Sequence, residues 1–255
     1  MKPNSSLALV SMFVMCNVYG EIKNGYENQI NGARETLKNL SALLWASDDL
    51  SLIQLREIKS KKQTVANYIA QYELTESLLK QFQIMAPDLY HEINEIKDNH
   101  GRSTDVYVKF ILSEQATIQA GGITYLDQVP GDPHTYRSEY GEHTVSVKIW
   151  IMDNALFVLA HEMGHIKYQV PNLSCYVAYY KMTYPPAITE PNYIGHNIND
   201  PSGLSALSFH KRFCHAYSNS LKQKTSSLET PVNLFRHIRK RILSEILAEN
   251  RLATL

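Results

Sequence analysis

The sequence predicts an α+β fold: a helical N-terminal region, a small, mainly antiparallel sheet, and further helices towards the C-terminus. Three observations carry that prediction. Between about Gly25 and Asn99 the apolar residues recur at spacings of three and four, the period of a buried helix face. From Val106 to Ile151 they alternate instead, the period of strands with one buried side. Then an apolar run, Ala155-Leu156-Phe157-Val158-Leu159-Ala160, leads directly into His161-Glu162-Met163-Gly164-His165.

The elements follow in order. Tyr26, Ile30, Ala33, Leu37, Leu40 and Leu44 form one helical stripe, and Ile58, Val65, Ile69 and Tyr72 suggest a second helix. A third helix passes through Leu78 and Phe82 and ends before Pro87; a fourth is marked by Leu89, Ile93 and Ile96. These stripes read as packing between helices. At His100-Gly101-Arg102-Ser103 the period changes, and Val106, Val108, Phe110 and Leu112 define a strand. Ile118 to Tyr125 reads as another strand, with Gly121-Gly122 as a bulge or turn. Gln128 to His134 has loop chemistry, and Thr144 to Met152 alternates again as a strand that could offer its edge to an extended peptide.

Asp153 or Asn154 is placed to cap the helix that carries the His-Glu-His run, and Val170-Pro171-Asn172 closes it. A Tyr-rich helix is expected from about Cys175 to Tyr184, followed by a loop with Pro185, Pro186 and Pro191. Asp200-Pro201 starts a helix that runs to about Lys222, with Asp200 as cap and Pro201 in the first turn. A last amphipathic helix from Pro231 to Glu249 places Phe235, Ile238, Ile242 and Ile246 on one face. Its basic run, Arg236 to Arg241, reads as the solvated side of that helix.

The chain has 255 residues and a formal net charge of +0, which gives no reason to expect a nucleic-acid partner. No stretch is long and apolar enough to span a bilayer. Lys2 followed by the apolar core Leu7 to Met15 and the small residues Val18 and Gly20 reads as an export signal over residues 1–20. A lipid anchor at Cys16 is the competing reading, with Met15 a poor fit to it. Export to a secreted or periplasmic location would leave Cys175 and Cys214 as a pair, either disulfide-bonded or as two thiols. Residues 21–100 then form the helical region and 101–255 the domain with the His-Glu-His helix.

The chemistry lies in that helix. Residues four apart share a helical face, so His161 and His165 can point at one metal ion, while Glu162 brings a carboxylate to its rim. This is the H-E-x-x-H arrangement of two metal ligands and a general base.

A strand, a short turn and a helix with H-E-x-x-H resemble the active-site unit of the zincin metallopeptidases; the resemblance covers about a tenth of the chain. It implies Zn²⁺ held by His161, His165 and a third protein ligand, with Glu162 activating a zinc-bound water that attacks a peptide carbonyl. The metzincin pattern would need Gly and His where this chain has Tyr168 and Pro171, so that subgroup is excluded. The gluzincin layout takes a Glu from a later helix. Here the leading candidate is His210, which shares a helical stripe with Ala206, Phe213, Tyr217 and Leu221; its presence departs from that subgroup's Glu. His196 and Glu190 are the alternatives, and His215 falls on another face. The expected activity is zinc-dependent hydrolysis of a peptide or protein substrate. A cell-wall or other non-peptide amide is the alternative substrate, and a non-catalytic envelope interaction protein the alternative class.

Overall fold

The structure, a computed structural model, describes residues 19–46, 50–112, 121–132, 134–173, 200–223 and 229–252. A short strand, β1 (Ile22–Asn24), precedes helices α1 (Ile30–Ala46), α2 (Leu52–Met85) and α3 (Pro87–Asn94). Strands β2 (Asp105–Ile111), β3 (Gly122–Tyr125), β4 (Asp127–Gln128), β5 (Tyr136–Ser138), β6 (Gly141–Glu142) and β7 (Thr144–Trp150) follow. Helices α4 (Ala155–Gln169), α5 (Pro201–Gln223) and α6 (Pro231–Leu252) complete the order. The α+β class is as the periodicity predicts. The expected helix at 175–184, the N-terminal signal through residue 18 and the side chain of Ile246 lie outside the described residues.

The main sheet has the order β1-β2-β7-β3 and is mixed. β1 and β7 both run parallel to β2, and β3 runs antiparallel to β7. The second sheet, β4-β5-β6, is antiparallel. Antiparallel pairing therefore predominates by number of ladders, while the longest ladder, β2 with β7, is parallel. That ladder matches Val106 to Val145, Val108 to Val147 and Phe110 to Ile149, so the apolar faces of the two strands coincide. The expectation that Thr144 to Met152 offers a free edge is overturned: β7 is flanked by β2 and β3, and its pairing groups are used on both sides.

Two helices expected separately are one. Ser51 opens α2 with a capping box to Gln54, and no Gly or Pro interrupts the chain before Pro87. The buried face runs unbroken from Ile69 through Leu74 to Leu78, but it carries the polar Gln71 and Thr75, which accept from the Leu112 and Phe110 amides and interrupt the apolar period in the sequence. The buried residues of α2 begin at Ala66, while Leu52 and Ile53 are exposed. β1 stands just ahead of the predicted first helix and pairs with β2, which ties the N-terminal segment into the sheet.

A single buried cluster joins Leu74, Leu78 and Phe82 of α2, the inward residues of β2 and β7, Leu159 and Met163 of α4, Phe209 and Phe213 of α5, and Phe235 of α6. The core thus continues across the change of pattern near residue 100. The basic run on α6 is solvated as expected, with Arg236, His237, Lys240 and Arg241 exposed and Ile238 buried. Among the described residues no helix is long and apolar enough to cross a membrane. Cys214 is a half-buried free thiol, and Cys175 lies outside the described residues.

Helix α4 is packed on two sides, by the sheet and by α5. Gly164 makes the second contact possible: a Cβ there would lie 2.5 Å from Ala206 Cα and 2.8 Å from Phe209 Cβ. Ala normally favours a helix interior over Gly by about 1 kcal/mol. At this position Gly164→Ala is expected instead to destabilise the protein by about 1–3 kcal/mol through overpacking, read as a lower urea midpoint. A raised midpoint would show that α4 and α5 are not held at this distance.

Candidate metal centre

Asn154 occupies the N-cap position of α4 but makes no side-chain cap bond; its carbonyl accepts from the Phe157 and Val158 amides. Leu156, Leu159, Ala160, Met163 and Ile166 anchor the helix in the core. That anchoring buries Glu162 and His165, which are 5% and 7% exposed, and leaves His161 half-buried.

The His161 and His165 rings stand edge to face with centroids 4.9 Å apart. Two imidazoles bonding one tetrahedral zinc through nitrogens at 2.0–2.1 Å place their centroids about 5 Å apart, so this pair has the separation that a shared ion requires. His165 Nδ1 lies 2.8 Å from Ser202 Oγ, to which Gln169 Nε2 donates at 3.0 Å. With Nδ1 engaged, Nε2 is the nitrogen a metal would take, the usual way a neighbour orients a ligating histidine.

His210 comes from α5, and the stripe predicted for it faces α4 as far as Tyr217, whereas Leu221 at its end is exposed. Ala206 and Phe213 are fully buried, and Tyr217 packs on Phe157 with ring centroids 4.9 Å apart. The His210 ring lies 6.3 Å from that of His161, and its Nδ1 is 3.1 Å from the Phe157 carbonyl oxygen. The separation is wider than in the His161–His165 pair. Among the described residues no group of three His, Cys, Asp or Glu side chains stands close enough to hold an ion. His196 and Glu190 lie outside the described residues. His215 is exposed on another side of α5, beside Asn219.

The sequence reading missed the partners of Glu162. Gly122 and Thr124 sit two apart on β3 and so share a face, which lies against α4. Thr124 Oγ1 is 2.7 Å from Glu162 Oε2 and 3.2 Å from the Glu162 backbone oxygen. A Cβ on Gly122 would stand 2.8 Å from Val158 Cγ1 and 3.1 Å from Glu162 Cγ. The glycine read as a bulge or turn is therefore a close-approach position inside a strand. Ser202 and Gln169 were likewise missed; the Ser202 amide also donates to Asp200 Oδ1 at 3.0 Å, in keeping with Asp200 as the expected cap.

Comparison of the chain with protein families, curated proteins and solved structures finds no match.

Burial dominates the electrostatics of the carboxyl. Loss of hydration pushes the Glu162 carboxyl up to about 7, against the smaller, opposite effect of the Thr124 hydrogen bonds. In metal-free protein the folded state therefore holds this proton while the unfolded state, titrating near 4.5, releases it. Folding stability is unpenalised below about pH 4.5 and falls as the pH rises towards 7, by on the order of 3 kcal/mol from this group. Chelated Glu162→Gln protein, denatured in urea at pH 5 and pH 8, is expected to lack that loss. An identical pH dependence in the two proteins would refute the desolvation of Glu162.

Proposed function

We propose that the chain is a zinc-dependent hydrolase of peptide bonds, with Glu162 as general base and His161, His165 and His210 as metal ligands. The observation that carries this reading is a buried carboxyl standing next to two histidines whose rings have the separation of a shared ion. His161 and His165 would hold the metal from one helical face, and His210 would reach it from α5. Its Nδ1 contact with the Phe157 carbonyl favours the tautomer that presents Nε2 to a metal. Zinc, when bound, supplies Lewis-acid polarisation of the scissile carbonyl and makes water acidic enough to react near neutral pH.

The chain's own contribution is proton transfer. The attacking water gives a proton to Glu162 as its oxygen adds to the carbonyl carbon, and the departing amine takes that proton from Glu162. A group working in both directions must be held within reach of the water and the leaving amine, and α4 and β3 together fix Glu162 in place. The exported location and the peptide or protein substrate belong to the same proposal.

The test is metal analysis together with hydrolysis of a panel of peptide and cell-wall substrates by purified protein. Glu162→Gln is expected to retain stoichiometric zinc and to lose roughly 10²–10⁴-fold in turnover. Zinc at full stoichiometry with no Glu162-dependent hydrolysis of any substrate would sink the enzymatic reading; turnover confined to cell-wall amides would replace the peptide substrate. His210→Ala is expected to lose zinc affinity, whereas His215→Ala keeps it. Unchanged zinc content in His210→Ala would remove His210 from the ligand set.

A further inference from the structure

We infer that Thr124 is a positioning residue for Glu162: its hydroxyl fixes Oε2, which leaves Oε1 as the oxygen that exchanges the proton. The inference rests on the hydrolase reading and adds a division of labour between the two carboxyl oxygens. Its basis is geometric. Glu162 is almost wholly buried, and the hydrogen bonds of its carboxyl among the described residues come from one residue, Thr124, whose Oγ1 lies 2.7 Å from Oε2.

The single hydroxyl proton goes to Oε2, the nearer of two acceptors. The other, the Glu162 backbone oxygen, lies at 3.2 Å. A threonine side chain has one dominant restriction, at χ1, and here that restriction is set within a strand paired to β7. The clamp therefore comes from the sheet and not from the helix that carries the base. Gly122, one strand repeat away, leaves the space that Glu162 Cγ and Val158 occupy. A larger residue there would push the helix off the strand and lengthen the Thr124 bond.

A carboxylate oxygen with a directed hydrogen bond has one rotamer selected for it, and the second oxygen then has a fixed place. Proton transfer demands that order of placement, since an error of about 1 Å lowers rates roughly 100-fold. Thr124 touches neither substrate nor metal in this scheme and acts only through Glu162.

The experiment compares wild type, Thr124→Val and Thr124→Ser in the zinc-loaded full chain. Val keeps the β-branched shape and removes the hydroxyl; Ser restores the hydroxyl. The expected result is a roughly 10- to 100-fold lower kcat in Thr124→Val, with KM and zinc content unchanged, and recovery to within a few-fold of wild type in Thr124→Ser. Should Thr124→Val not fold, Thr124→Ala against Thr124→Ser makes the same comparison. A wild-type kcat without the hydroxyl overturns the inference, as does a loss of zinc or a KM rise that accounts for the defect, or a Ser variant no better than Val. A second measurement separates the inference from the reading beneath it. In chelated protein, the lowering of the urea midpoint by Thr124→Val is expected to shrink in a Glu162→Leu background. Coupling there, with no Glu162-dependent hydrolysis in wild type, would mean that the contact is structural and that the hydrolase reading has failed. Activity without coupling would leave the hydrolase and remove Thr124 from it.

Discussion

The approach of α5 to Gly164 decides what the rest of the site can be. With a hydrogen in place of a side chain at that position, Ala206 and Phe209 reach the backbone of α4. This closes the face of α4 that the sheet does not cover. Without α5, His165 and Gln169 would face water, while Glu162 would still lie against β3; packed on both sides, α4 must satisfy all three internally. His165 and Gln169 share Ser202, and Glu162 takes Thr124. The contacts of His165 and Gln169 thus follow from an apolar packing event three residues from the first histidine, and that of Glu162 from the close approach of β3 at Gly122.

The carboxyl is the group for which that arrangement is least generous. An ionised carboxylate out of water is stabilised by two or three good hydrogen bonds, and Glu162 has one directed side-chain donor. One charge-assisted bond contributes about 1.5–3 kcal/mol, less than full burial of the ion takes away. In metal-free protein the balance goes to the proton, and burial pushes the carboxyl up to about 7 from 4.5. A second donor at Oε1 would correct the deficit and at the same time remove the oxygen available for exchange. Incomplete solvation of Glu162 is therefore consistent with a group kept for proton transfer.

Much of this was legible in the sequence, and the failures have identifiable causes. Alternation located β2 and β7 because each presents one uninterrupted apolar face. It could not assign their relative direction, which depends on how the intervening chain crosses over. β1 escaped because three residues are too few for a period and its partner lies 84 positions away. The stripe containing His210 holds through Ala206, Phe213 and Tyr217, apolar at helical spacing, and fails at Leu221, which is exposed near the end of the helix. Thr124, Ser202 and Gln169 carry no such signal: each is a common polar residue whose importance comes from a partner 33–38 positions distant. Gly122 is the instructive error. Its neighbour Gly121 made a turn the economical reading, whereas the reason for glycine lies on another element, at Glu162 and Val158.

The register of α4 against α5 extends the argument to both histidines. Ser202 meets His165 and Gln169, Ala206 meets Gly164, and His210 meets His161 and Phe157, so the two helices run in opposite directions. Eight residues separate Ser202 from His210, about 12 Å of helix, and the same span separates Gln169 from His161. Matching spans let one straight helix serve both ends of the other. At one end α5 supplies a hydroxyl that engages His165 Nδ1; at the other it supplies an imidazole whose own Nδ1 is engaged by α4. Each helix thus orients a ring belonging to its partner, through the nitrogen that a metal would not use. Reciprocal orientation of this kind depends on the close approach at Gly164, since the two ends keep register only while the middle of the interface stays in contact.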